Sequence, residues 1–232
     1  MFPNALSEEW LEKFASLPEQ AAAPAIPHRF LLSVTRVEKG DRYKGIVSVL
    51  EALSMIEDDS LHYAVVGRGD DLAFLQQVAR RLGVADRTHW LGALPDAQLV
   101  SLYRSCEAFV LPSGKEGFGI VFLEAMFFGA PVIAARAKGA VDVVCDGETG
   151  LTVEYGDVVA LKQTIERLSG NAQLRAQLNA RARVSVIDDG AFTFRAFVTR
   201  CAAALDVGME TTSAVPARQH GAPATLNENA AG

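Results

Sequence analysis

The chain has 232 residues, 50 % of them hydrophobic and 22 % charged, which suits one soluble domain, or at most two, with a sizeable core. Its net charge of −6 and the lack of any basic block argue against a general nucleic-acid partner, because phosphate-backbone binders concentrate Lys and Arg. Cys106, Cys145 and Cys201 are widely spaced, with no CxxC pair and no nearby His, so they read as reduced, core-filling thiols of a cytoplasmic protein.

Residues 1–28 have no basic segment followed by an apolar run, and no stretch of the chain is apolar for long enough to span a bilayer; neither secretion nor membrane spanning is expected. A short amphipathic stretch around Trp10 and Phe14 leads into the Ala/Pro-rich residues 21–27, and residues 1–28 together read as a linker-like segment. From Arg29 onward, short apolar runs alternate with longer segments of helical period, the pattern of βα units winding a parallel sheet. Strands are expected at 30–35, 61–66, 88–91, 108–111, 131–134 and 150–153, and helices at 44–57, 71–83, 96–105, 119–129 and 139–145. Because a βαβ unit takes about 30 residues, this is an α/β fold with a single Rossmann-like domain: a parallel sheet of about six strands with helices on both faces. Purely helical patterns follow at 158–168 and 174–184, and a last helix opens at Phe192-Thr193-Phe194-Arg195-Ala196-Phe197. The domain is therefore expected to run from 29 to 206. Residues 207–232 carry no aromatic side chain and are expected to form a disordered tail.

The strongest chemical signal is Pro112-Ser113-Gly114-Lys115-Glu116-Gly117-Phe118-Gly119-Ile120-Val121-Phe122-Leu123-Glu124-Ala125, directly after a strand. A helix starting near Gly119 leaves Glu116 in the preceding loop and Glu124 about one and a half turns inside, so both can face the C-terminal edge of the sheet, where open α/β folds bind ligands. Gly117 and Gly119 let the backbone approach a ligand, and the free N–H groups of the helix start attract phosphate and sugar oxygens. The bland reading of either Glu alone is charge compensation at a helix N-terminus. Gly67-Arg68-Gly69 after a strand is part of a dinucleotide fingerprint, but Leu72 stands where its third glycine belongs. His28, His62, His89 and His220 read as packed or solvated. No D-x-D triplet is present, so no metal and no cofactor are expected.

Glu116-Gly117-Phe118-Gly119, Leu123-Glu124-Ala125 and Gly129-Ala130-Pro131-Val132-Ile133 together resemble the E-x7-E signature and following strand of the family-4 glycosyltransferases. The likeness runs from about Phe30 to Val153 and takes in Ser33-Val34-Thr35-Arg36, Tyr43-Lys44-Gly45, Val65-Val66-Gly67-Arg68-Gly69, Trp90-Leu91-Gly92 and Asp146-Gly147-Glu148-Thr149-Gly150-Leu151. Enzymes of that family have two facing Rossmann-like domains, the B-type fold. The resemblance implies that this chain is the C-terminal, donor-binding domain, with the N-terminal acceptor domain absent and supplied in cis or by a separate chain.

By the same resemblance, Arg36 and Lys44 grip the donor diphosphate, Glu124 accepts hydrogen bonds from the ribose hydroxyls, and Glu116 lies beside the transferred sugar. The backbone from Gly117 through Phe118 and Gly119 to Ile120 donates to sugar and phosphate, and Gly92, Ala93 and Leu94 meet the base. Arg36, Lys44 and Glu116 are the implied catalytic residues. The step from Arg36 to Lys44 is longer than usual for the family by a loop insertion, Glu38-Lys39-Gly40-Asp41-Arg42, in which Lys39 and Arg42 are competing cations expected to be solvated.

The expected activity is retaining transfer of a hexose from a nucleoside diphosphate sugar to a hydroxyl acceptor (a glycan, a lipid or a small molecule) by front-face displacement. Any membrane contact would be peripheral and made through the absent half. The alternatives are a non-catalytic sugar-nucleotide-binding module, one subunit of a two-chain transferase and, less favoured by the Glu-Gly-Phe-Gly motif, a nucleotide-sugar epimerase.

Overall fold

The computed structural model describes Pro24, Ile26 and residues 29–188. Six short strands form one sheet: β1 (Arg29–Val34), β2 (Leu61–Val66), β3 (Thr88–Gly92), β4 (Ala108–Leu111), β5 (Val132–Ala135) and β6 (Leu151–Val153). All pairings are parallel and the spatial order is β3-β2-β1-β4-β5-β6. Register is continuous along β1 and β2, from Arg29 opposite Leu61 to Val34 opposite Val66. The strands are largely apolar because both faces of the sheet are covered.

Helices α1 (Ile46–Ser54), α2 (Leu72–Arg81), α3 (Asp96–Ser105), α4 (Ile120–Phe127), α5 (Val158–Ser169) and α6 (Ala172–Arg183) supply that cover. Alternate residues of β1 divide the core. Phe30 and Leu32 point into a cluster with Leu102, Tyr103, Phe122 and Leu123 of α3 and α4. Leu31 joins Val49, Leu50, Val78, Leu161 and Leu178, from α1, α2, α5 and α6, on the other face. Strand ends differ from the sequence-based bounds by at most one residue, and the spans 61–66 and 108–111 coincide.

The helix expected at 139–145 does not form. Residues 138–143 make successive turns, including Ala140 N–H to the Ala137 carbonyl and Val143 N–H to that of Ala140. Two causes act together. Gly139 adopts φ +89° against the Glu116 backbone, a left-handed geometry no helix interior tolerates. Val141, Val143 and Val144 are β-branched, which lowers helix propensity. The segment still adds Ala140, Val143 and Val144 to the core.

Pairing of β1 with both β2 and β4 makes the reversal of strand order fall at β1/β4. The chain leaving β1 returns through α1 on one face of the sheet, and that leaving β4 returns through α4 on the other. The two loops therefore diverge and leave a crevice at the C-terminal ends of these strands, the switch point where open α/β sheets bind ligands. The expected helix from Phe192, the tail, Cys201, His28, His220 and nearly all of residues 1–28 lie outside the described residues.

Candidate functional site

A cleft of about 310 Å³ occupies the switch point, lined by Val34 at the end of β1, Thr35 and Arg36 just after it, Lys44, Leu111 of β4, and the run from Glu116 to Val121. Of the residues singled out in the sequence, it brings together Arg36, Lys44, Glu116, Gly117, Phe118, Gly119 and Ile120. The others lie around it rather than on it: Glu124 sits inside α4, and Gly92, Ala93 and Leu94 lie at the end of β3, two strands from β1.

The loop after β4 is fastened to the end of the 38–42 insertion at three points. Gly114 N–H donates to the Tyr43 carbonyl at 2.8 Å. Gly45, at φ +80°, stands against Pro112, whose carbonyl oxygen would lie 2.5 Å from any Cβ placed there. Lys44 Nζ donates to both Glu116 oxygens, at 2.9 Å to Oε1 and 2.7 Å to Oε2. Exposure of these two side chains is 16 % and 7 %, so the pair is largely withdrawn from solvent at the floor of the cleft. Gly119, at φ +88°, turns the chain into α4, whose first N–H groups point back toward the same space.

Arg36 is the open cation of the cleft, 67 % exposed, with Nη2 at 3.1 Å from Asp41 Oδ2 and Nη1 at 3.7 Å from Glu38 Oε2. Asp41 is buried, and its Oδ2 completes no hydrogen bond. The contact with Arg36 is thus electrostatic and leaves the guanidinium fork free to turn. The competing cations separate clearly. Arg42 is not simply solvated, as the sequence suggested: Nε and Nη2 each lie 2.7 Å from an oxygen of buried Asp71, and the guanidinium stacks 3.8 Å over Phe74. It holds the insertion in shape. Lys39 stays exposed, 3.8 Å from Asp70.

Glu124 is mostly buried, and burial, reinforced by the like charge of Asp96, pushes its carboxyl above the usual range even though the Tyr103 hydroxyl donates to Oε2 at 3.2 Å. Tyr103, which sequence reasoning missed, lies 21 residues away on α3. Asp41 was missed as well, hidden among the charges of the insertion. Gly67 and Gly69 prove structural: a Cβ at either would collide with the Thr35 or Val37 carbonyl, so they admit the β1 loop rather than a phosphate.

Elsewhere, Cys106 is buried but Cys145 is exposed, so only the first fills the core as expected. His62 and His89 stack on neighbouring strands, with Nδ1 and Nε2 at 2.9 Å. Among the described residues no group of three or more His, Cys, Asp or Glu is placed to hold a metal ion, and no helix is long and apolar enough to cross a membrane.

Residues 20–185 match the family described as glycosyl transferases group 1. The chain belongs to that family. A phosphatidyl-myo-inositol mannosyltransferase of Mycobacterium leprae is 30 % identical over 187 residues, 79 % of this chain and 48 % of that protein. A D-inositol 3-phosphate glycosyltransferase of Corynebacterium diphtheriae is 37 % identical over 106 residues, 46 % of this chain and 25 % of its own length. Among solved structures, HepE of Anabaena in complex with UDP-glucose superposes with a TM-score of 0.66 at 27 % identity, covering 76 % of this chain and 48 % of HepE. The group 1 chain described here thus spans between a quarter and a half of these proteins, and the part it shares with HepE has the Rossmann-like fold.

Proposed function

We propose that this chain is the donor-binding domain of a retaining, family-4 type glycosyltransferase that moves a hexose from a nucleoside diphosphate sugar to a hydroxyl acceptor. One observation carries the reading: Arg36, Lys44, Glu116 and the start of α4 converge on a single cleft at the topological switch point, although they come from two loops far apart in sequence. Two cations and a helix N-terminus facing one space suit a pyrophosphate, whose charges otherwise go uncompensated. HepE, solved with UDP-glucose at 27 % identity, and the mannosyltransferase and inositol-phosphate glycosyltransferase relatives favour a sugar nucleotide as ligand.

The chemistry follows from charge placement. As the bond from the anomeric carbon to phosphate breaks, negative charge gathers on the leaving diphosphate. Arg36, Lys44 and the α4 N–H groups stabilise it, and each such donor is worth about 3 kcal/mol of barrier lowering. The reading uses no metal, because side chains and backbone meet the phosphate charge. Glu116, released from Lys44 when phosphate engages the lysine, is placed to accept from a sugar hydroxyl. Glu124 receives the ribose diol, and Gly92, Ala93 and Leu94 meet the base. The acceptor site and any membrane association belong to a facing domain, in cis or as a separate chain, and the site of action is the cytoplasm.

Calorimetric titration with UDP-glucose and GDP-mannose tests the donor assignment. One of them should bind, and Arg36→Ala should weaken it; failure of both to bind the folded chain overturns the reading. With a facing domain present, the anomeric configuration of the product, read by NMR, decides retention.

A further inference from the structure

The Tyr103 ring is buried in α3 between two aromatic neighbours. Phe109 of β4 lies 5.7 Å away and Phe128, just after α4, stacks on it at 5.8 Å with 20° between the planes. A ring held between two others cannot swing, so its hydroxyl is fixed in space. That hydroxyl projects from an otherwise apolar cluster and donates to Glu124 Oε2 at 3.2 Å. No other group among the described residues donates to the Glu124 carboxylate, and Oε1 is left as an acceptor. A tyrosine spent on one hydrogen bond at the edge of a core that phenylalanine would fill equally well needs an explanation, since a buried hydroxyl is costly unless its partner repays it.

We propose that Tyr103 is the positioning residue for Glu124: it clamps Oε2 so that Oε1 is presented in one orientation to the 2′,3′-diol of a nucleotide ribose. This rests on the reading of Glu124 as the ribose acceptor given above. Three features support the geometry. The carboxylate sits mid-helix on α4, where free rotation about its side-chain torsions would scatter Oε1 over several positions. Burial, with a smaller part from the like charge of Asp96 at the start of α3, disfavours the ionised form, while the hydroxyl of Tyr103, near the end of the same helix, favours it. And α3 follows directly on Gly92, Ala93 and Leu94, so one rigid element joins the proposed base-contacting loop to the proposed ribose acceptor.

The test uses UDP, GDP and their 2′,3′-dideoxy counterparts as probes in calorimetric titration of the full chain, with near-ultraviolet circular dichroism to establish folding. Tyr103→Phe should weaken the preferred ribonucleotide about tenfold, the size of one hydrogen bond to a charged group. It should leave the dideoxy counterpart unchanged and cost nothing further in a Glu124→Ala background. A 4-aminophenylalanine at 103, which keeps a donor on the same ring, should retain wild-type affinity. Equal losses for ribo and dideoxy ligands, an added loss in the Glu124→Ala background, or a 4-aminophenylalanine protein that folds yet binds poorly would each overturn the proposal. So would unchanged affinity of Tyr103→Phe alongside a weakened Glu124→Ala, which would leave the ribose assignment standing. Unchanged affinity of Glu124→Ala, or no binding of UDP or GDP by the wild type, would remove the reading beneath it.

Discussion

Lys44 and Glu116, 72 residues apart, form a two-point ion pair with Nζ at 2.9 and 2.7 Å from the carboxylate oxygens. The pair joins the loop after β1 to the loop after β4, and it means that without ligand the lysine of the cleft is already engaged. Truncating one partner strands the other in a largely buried site, so Lys44→Ala should destabilise the fold by about 3 kcal/mol, measured by urea denaturation. Lys44→Met/Glu116→Gln, which removes both charges, should recover most of that loss. If Lys44→Ala proved as stable as wild type, the pair would be an incidental surface contact.

Arg36 should behave differently, because its exposed side chain makes only electrostatic contacts with Asp41 and Glu38. Arg36→Ala should cost the fold about 1 kcal/mol, less than Lys44→Ala, because the guanidinium itself is exposed even though buried Asp41 loses its neighbouring cation. It should weaken a nucleoside diphosphate about tenfold or more while leaving the bare nucleoside unaffected. Added salt should narrow the difference, since screening weakens an exposed cation at a phosphate. Equal losses for nucleoside and nucleotide would remove Arg36 from the phosphate site.

Much of the fold was legible because it rests on local patterns. The runs 61–66 and 108–111 are short, apolar and punctuated by Gly, Pro or charged residues, and in a sheet covered on both faces nothing else is needed to mark a strand. The helix expected at 139–145 failed because contact with the distant Glu116 backbone fixes Gly139 in a left-handed turn, which local propensity cannot report. The spacing of Glu116 and Glu124 placed one in a loop and the other in a helix, as α4 places them. What the sequence could not give were the partners: Lys44 with Glu116, Arg42 with Asp71, Tyr103 with Glu124. Each joins residues 21 to 72 apart through side chains whose meeting depends on packing.

Gly45 ties this packing to the cleft. Its φ of +80° and the Pro112 carbonyl oxygen 2.5 Å from a hypothetical Cβ leave no room for a side chain, and the obstacle is backbone. Gly45→Ala should cost about 2 kcal/mol or more, combining left-handed strain with the displaced loop. Because that loop carries Glu116, nucleotide affinity should fall as well. Gly83→Ala, with similar φ (+72°) but nothing near its Cβ, should show only the strain and leave binding intact. Equal behaviour of the two variants would show that the approach to Pro112 is unimportant.

Glu124 should trade stability for binding. Burial, with the like charge of Asp96, raises its carboxyl above the usual range, so the folded state holds the proton more tightly than the unfolded chain does. A group raised in this way contributes stability that is fully present below its unfolded value, near pH 4.3, and is lost as pH rises through the folded value. At neutral pH the ionised, desolvated carboxylate is therefore a net cost to the ligand-free fold. Glu124→Gln, isosteric and still able to accept from Tyr103, should melt at a higher temperature than wild type at pH 7–8, and the two should converge below about pH 4. The same substitution should weaken a ribonucleotide, because a neutral amide is a poorer acceptor for a diol than a carboxylate. Calorimetry of the folded variants across this pH range supplies both readouts. A Glu124→Gln protein less stable than wild type at pH 7 would mean that the carboxylate is better compensated than its surroundings indicate.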